Sequence, residues 1–470
     1  MNSDTNNGTH ICDQLREQAL DTTLLSQIHA AALDYMATAS ERPVFPTKEA
    51  LEGLSAFDEP MPEMPGDPHA LLNLLHTNGS PATVAQTGGR YFGFVNGGIA
   101  PAALAAKWMA DVWDQNTAMY VISPICSRLE EICERWIVDL LGLPEGTAAG
   151  FVGGSSTATL CGLAAARNHL LKNQGYDVAA KGLFGAPEIK VVLSEGAHST
   201  IYKALSILGL GSERIIKVPM DKQGRIREDL VPELDDRTLL ILQAGNVNSG
   251  AFDRFEMLCD KARAVGAWVH VDGAFGLWAA ASEPLKHLTI GVEKADSWSV
   301  DAHKTLNAPY DNGIVLCKNR DALVSAMQMS GSYIVYSPQR DGMLYTPEMS
   351  RRGRIVELWA TLKSMGRTGV SELVDDLQRK AAYFSDELEK TGFMIHNEVC
   401  FNQVLASIGT GEQTQAVLKA VQESGELWCG ASQWEGRSVI RLSVCSYRTT
   451  REDIDRCVKA FMSARKSVIG

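Results

Sequence analysis

The chain has 470 residues, 45% hydrophobic and 21% charged, which excludes a disordered or fibrous protein and leaves room for two or three domains with their own cores. Its 44 basic and 56 acidic side chains give a net charge of −12 with no Lys/Arg-rich tract, so neither nucleic acid nor an anionic membrane is expected as a partner. No apolar run approaches a bilayer span, and the ten cysteines are scattered with no CxxC pair and no histidines at ligand spacing, which argues against a membrane helix, a disulfide framework and a metal site.

The first residues show no basic-then-apolar signal pattern, and a cytoplasmic protein with reduced thiols is expected. Leu15–Ser40 carries Leu, Ile and Ala at helical spacing, and the Pro-rich stretch Phe57–Pro68 follows. Residues 1–88 therefore read as a helical arm, too short to bury much core. From 89 to 345 the pattern alternates. Strands are predicted at Lys190–Ser194, Leu239–Gln243, Trp268–Asp272, Ser297–Asp301 and Ile314–Lys318, and helices at Ser156–Lys172, Ser199–Leu208 and Arg254–Val265. Strands apolar on both faces, alternating with helices, predict a large α/β domain with a mostly parallel sheet. A Gly/Pro/Ser-rich stretch, Ser330–Pro347, interrupts the pattern. Residues 346–470 predict a smaller α+β domain, with helices at Arg354–Met365, Val370–Lys390 and Arg451–Ser467 and strands near Val404–Ile408 and Ser438–Val444.

Four segments of the large domain could carry chemistry. Trp268–Asp272 is an apolar strand ending in an acid before a glycine turn, where an α/β sheet binds ligands. Asp272 there either faces a ligand cation or caps the next helix. Ser297–Asp301 is a second buried strand, followed by His303 and Lys304, 32 residues after Asp272. Lys304 is either a snorkelling surface lysine or an amine made nucleophilic by partial burial. Gly153-Gly-Ser-Ser156 opens a helix, so Ser155 and Ser156 are either an ordinary cap or part of an anion site on free N–H groups. His198 starts another helix just past a strand, either bonded to the backbone or stacked on a flat ligand. Taken together, an anion cradle, a stacking ring, an acid for a ring nitrogen and an amine for an aldehyde meet the demands of pyridoxal 5'-phosphate.

Read in order, Tyr91–Val95, Ser123-Pro with Leu129-Glu130, Gly153-Gly-Ser-Ser156, Ala197-His-Ser199, His270-Val-Asp-Gly-Ala274, Ala295-Asp-Ser297, Asp301-Ala-His-Lys304 and Arg351–Trp359 resemble the group II pyridoxal-phosphate-dependent amino-acid decarboxylases, relatives of the aromatic-amino-acid and glutamate decarboxylases. The resemblance implies the aspartate aminotransferase fold (fold-type I) and a homodimer with active sites at the subunit interface. It implies decarboxylation of an L-amino acid to an amine and CO2. Lys304 is then the Schiff-base lysine, Asp272 the pyridinium partner and His198 the stacking residue. Ser155, Ser156, Ser297 and His303 lie at or near the phosphate, and Asn246 near the ring. A tyrosine of the loop 330–350, Tyr345 or Tyr336, protonates the substrate carbon, with Tyr345 preferred. Gly245-Asn-Val-Asn248 and Asp301-Ala-His-Lys304 depart from the family pattern and mark a divergent branch; Asp301 suits a phosphate site only if it faces the histidine or a backbone N–H. An aminotransferase, an aldol-type lyase or a decarboxylating oxidase would use the same residues, and a non-catalytic homologue would lose the cofactor altogether. For the substrate side chain, Tyr91, Phe92, Trp108 and Trp113 would suit an aromatic group, and Arg351, Arg352 and Arg354 an acidic one; either set could instead be structural.

Overall fold

The computed structural model describes residues 10–328 and 338–470. Its larger sheet has seven strands: β1 (Ala148–Val152), β2 (Lys190–Ser194), β3 (Ile215–Val218), β4 (Thr238–Gln243), β5 (Trp268–Asp272), β6 (Ser297–Asp301) and β7 (Gly313–Cys317). They lie in the order β1-β7-β6-β5-β4-β2-β3. The run from β3 to β6 is parallel, whereas β7 is antiparallel to both β6 and β1. β4, β5 and β6 are buried along their whole length, as required of strands with helices on both faces. On one face lies Ser155–Asn173, an Ala-rich helix that approaches closely because Gly162 has no side chain: a Cβ there would come within 2.9 Å of the His270 ring. Pro124–Leu140, Phe255–Arg263 and the start of Ile355–Lys390 cover the other face.

The mostly parallel α/β sheet is as expected. β1 and β3 have no counterpart in the sequence reading, for different reasons. β1 reads Ala-Ala-Gly-Phe-Val, weak in strand formers, and β3 is four residues long with two exposed.

The smaller sheet is antiparallel throughout: β8 (Met394–Ile395), β9 (Gln403–Ser407), β10 (Gly430–Trp434) and β11 (Arg437–Ser443), in the order β10-β11-β9-β8. Gly411–Glu423 and Arg451–Ile469 pack on it, each opened by a capping box, Thr410 with Gln413 and Thr450 with Asp453. The two helices expected from Arg354 to Lys390 are both present within Ile355–Lys390, divided at Gly366, whose φ of 62° and ψ of 179° are not helical.

Arg90–Phe92, expected to open the large domain, is built into the smaller lobe instead. The Phe92 N–H donates to Trp428 O, its carbonyl accepts from the Ser443 N–H, and its ring meets Phe384 at 5.2 Å. Among the described residues no helix is long and apolar enough to cross a membrane, and all ten cysteines are free thiols.

What matters for function is one rim of the large sheet. The carboxyl ends of β4, β5 and β6 open on it, and β7 begins there, with Gly313 in register with Asp301 on one side and Val152 on the other. A Cβ at Gly313 would collide with the backbone of Gly154, so this glycine lets the start of Ser155–Asn173 close over the end of β6.

Candidate active site

The turn after β6 carries the amine. The Asp301 N–H donates to Ala274 O and the Asp301 carbonyl accepts from Trp278 Nε1, both at 2.8 Å, which fixes the strand end to the loop after β5. Lys304 Nζ lies 2.9 Å from Asp301 Oδ2, with the lysine side chain 20% and the aspartate 2% exposed. The same carboxylate accepts from the Ser155 N–H and, at 2.7 Å, from Ser155 Oγ. His303 Nδ1 accepts from the Asn312 N–H at 3.0 Å, which leaves the proton on Nε2, 3.6 Å from Asp301 Oδ1. Its ring stacks on Tyr310 at 4.2 Å, and burial holds its pKa below the ordinary histidine range. Asp301 therefore faces both the histidine and a backbone N–H, the condition under which an aspartate suits this place. Ser156, next on the helix, is exposed.

The acid sits at the end of β5. Asp272 Oδ1 accepts from the Ala274 N–H at 3.2 Å, and among the described residues no cation lies within ion-pair distance of its carboxylate. Burial pushes the Asp272 carboxyl above the ordinary range, with His198 and Lys304 pulling the other way. His198 caps Ser199–Ile207: its Nδ1 meets Thr200 Oγ1 at 2.8 Å and accepts from the Thr200 N–H. Burial lowers the His198 pKa, so the ring is neutral near pH 7, while Asp272 acts to raise it. The backbone-bonded reading and the position beside the acid both hold for this histidine.

Two groups at the same rim escape the sequence reading. Gln243 ends β4 in register with Asp272, and its buried Nε2 has no hydrogen-bond partner. Arg441, on β11, lies close enough to lower the His198 pKa. One guanidinium nitrogen donates to Val247 O at 3.2 Å, Nε is buried without a partner, and no acid pairs with it among the described residues. A lone arginine in an alternating strand carries no signal by itself; only the fold brings it here.

Other expected site residues lie elsewhere. Ser297 begins β6 rather than ending it, about 13 Å of strand away from the rim. Its Oγ accepts from Trp268 Nε1 at 3.0 Å and meets His270 Nδ1 at 2.9 Å, so it is a core residue and no phosphate contact. Tyr345 is likewise corrected: its hydroxyl accepts from Arg320 at 2.8 Å and its ring lies 4.0 Å from the Arg340 guanidinium, away from Lys304. The alternative, Tyr336, lies outside the described residues. Asn246 is buried, but its Oδ1 accepts from the Asn248 and Ser249 N–H groups and its Nδ2 reaches Gly224 O, so it builds its own loop. Arg351 pairs with Glu130, Arg352 with Asp311 and Glu357, and Arg354 with Asp311, which makes the arginine cluster structural. Phe92 belongs to the smaller lobe's core.

The donor set fits pyridoxal 5'-phosphate. A buried carboxylate without a counter-ion suits a protonated ring nitrogen, a lysine suits an aldehyde, and orphaned Gln243 Nε2 and Arg441 Nε lie at the same rim. Comparison with known proteins agrees. The family model described as the pyridoxal-dependent decarboxylase conserved domain matches residues 54–408. The aromatic-L-amino-acid decarboxylase of Bacillus atrophaeus is 26% identical over 445 residues, covering 90% of each chain. The human acidic amino acid decarboxylase GADL1 is 26% identical over 424 residues, 83% of this chain and 80% of that one. In fold, the crystal structure of Oryza sativa TDC with PLP and tryptamine superposes with a TM-score of 0.86 at 20% identity, covering 100% of both chains. The structure of mouse CSAD in apo form gives 0.85 at 22% identity, over 94% of this chain and 98% of that one. The chain belongs to the pyridoxal-dependent decarboxylase family, and its activity is pyridoxal-phosphate-dependent decarboxylation of an amino acid.

Proposed function

We propose that Lys304, Asp272, His198, Ser155, Ser156 and His303 bind the cofactor and that Arg441 orients an L-amino acid for loss of its carboxylate as CO2. The observation that carries this reading is that Asp272 ends β5 while Lys304 lies on the turn just after the neighbouring β6, a buried acid and an amine on one rim. When bound, pyridoxal 5'-phosphate supplies an aldehyde that condenses with amines and a protonated ring that accepts the electron pair of the breaking bond. Asp272 holds the proton on the ring nitrogen, because a buried carboxylate is stabilised by a cation beside it. His198, neutral through burial, covers a ring face without adding a competing charge. Ser155, Ser156 and the helix they open receive the phosphate, with His303 Nε2–H beside them. Arg441, buried and without an acid partner, takes the substrate's α-carboxylate. What supports Lys304 as the donor of the proton that replaces CO2 is its ion pair with Asp301, whereas Tyr345 is held on Arg320.

The protein acts as a homodimer in the cytoplasm, with its active site at the subunit interface. Apolar side chains exposed along the N-terminal arm, Leu20, Leu25, Leu33 and Leu71, support the dimer, and the free thiols support the compartment. The reaction is tested by incubating the protein with cofactor and a panel of aromatic, acidic and basic L-amino acids. Amine and CO2 in equal amounts from at least one member are expected; keto acid, aldehyde or peroxide in place of amine, or no release at all, overturns the reading.

A further inference from the structure

Ser155–Asn173 is 19 residues long, yet its first turn holds no acidic residue and its N-cap, Gly154, makes no side-chain bond. A helix start of that kind calls for an anion. The chain supplies one from another element: Asp301, at the end of β6, places Oδ1 on the Ser155 N–H and Oδ2 on both Ser155 Oγ and Lys304 Nζ, with the His303 imidazole 3.6 Å away. Its carboxylate oxygens thus sit on three donors at once, a backbone N–H, a hydroxyl and an ammonium, with a ring nitrogen just beyond hydrogen-bond reach. The backbone N–H and the hydroxyl of Ser155 are the donors that a phosphate monoester at this helix start would use. The approach is built in, since Gly313 leaves room for Gly154 to close over the strand end.

We infer that Asp301 is an internal stand-in for the cofactor's phosphate. It keeps the Gly-Ser helix start, the histidine and the lysine assembled without cofactor, and it competes with the phosphate for the Ser155 donors. This rests on the assignment of the cradle under Proposed function and goes beyond it, because the side chain that holds the cradle together opposes the group that the cradle binds. Two anions on one helix start repel. The neutral isostere Asp301→Asn therefore binds phosphate and cofactor more tightly, while its cofactor-free form is less stable, because Lys304 and the helix start lose their anion.

The test uses cofactor-free full-length protein, wild type and Asp301→Asn, with Asp301→Glu as the charge-retaining control. Each is titrated with inorganic phosphate by calorimetry and with pyridoxal 5'-phosphate by the yellow band that borohydride abolishes; thermal midpoints are measured with and without phosphate. Expected are at least about tenfold tighter binding of both probes by Asp301→Asn, a lower midpoint without phosphate, and recovery of that midpoint on adding it. Unchanged or weaker phosphate binding by Asp301→Asn, with a normal yellow band at Lys304, overturns the inference alone. Absence of the band from both proteins overturns the Lys304 assignment and this inference with it. If Asp301→Asn does not fold unaided, it is refolded in high inorganic phosphate, where recovery supports the stand-in role and failure overturns it.

Discussion

Asp272 is a carboxylate whose burial is unfavourable in the cofactor-free chain and becomes favourable only against a cation. That asymmetry separates binding from chemistry. Asp272→Asn keeps the shape and removes the charge that holds a proton on the ring nitrogen. We expect it to form the borohydride-sensitive band with Lys304 while kcat falls by about 10³-fold or more, measured as amine release under saturating substrate. Loss of kcat by less than tenfold would remove Asp272 from the role given to it. At this scale the sequence is legible where a residue's meaning is set by its neighbours in the chain. Asp272 announces itself by ending an apolar strand, Lys304 by following one, and His198 by starting a helix. Ser297 shares a strand with Asp301 but stands at its other end, which four residues of sequence do not distinguish. Tyr345 is held by Arg320 on the preceding helix, and Arg441 meets the Val247 carbonyl across 194 residues of chain; no local pattern reveals either contact.

Between elements, β5, β6 and Ser155–Asn173 are joined below the rim by a buried polar network. His270 Nδ1 meets Ser297 Oγ at 2.9 Å, its Nε2 meets Ser299 Oγ at 3.5 Å, and Ser299 accepts from Thr159 Oγ1 at 2.9 Å. Burial lowers the His270 pKa to about 3. Its folded value thus lies below its unfolded value, so on acidification the unfolded chain takes up a proton that the native state refuses. The stability this neutral ring contributes is fully present above pH 6.5 and is lost progressively as pH falls toward 3. His270→Asn should flatten that part of the profile by about 1.4 kcal/mol per pH unit, read by urea denaturation across the interval. An unchanged slope would mean that His270 titrates normally. The strands of this network were legible from their apolar runs, and the kink at Gly366 as a gap between two helices. β3 and β1 were not, because their pairing with β2 and β7 supplies what their own residues lack.

For the whole molecule, the arm is the part that a single chain leaves unfinished. The helices Ile11–Gln18 and Thr22–Thr38 bury no side chain fully, while Leu25 and Leu33 stay more than half exposed. The proposed dimer would cover them with a second copy. Sedimentation equilibrium is expected to give twice the 51.0 kDa of one chain, and Leu25→Asp with Leu33→Asp to move the mass toward 51.0 kDa. A wild-type protein that sediments as a single chain would contradict the dimer.

The stitch at Arg90–Phe92 bears on how the molecule comes into being. Phe92 is made early in synthesis, but the strand that accepts its backbone and the helix that receives its ring emerge from the ribosome some three hundred residues later. The C-terminal lobe is therefore no autonomous cassette. Cut after residue 345 and expressed alone, it would carry a vacancy the size of a phenyl ring, a defect worth about 3–5 kcal/mol, and long-range closure of this kind makes nascent folding slow and dependent on the complete polypeptide.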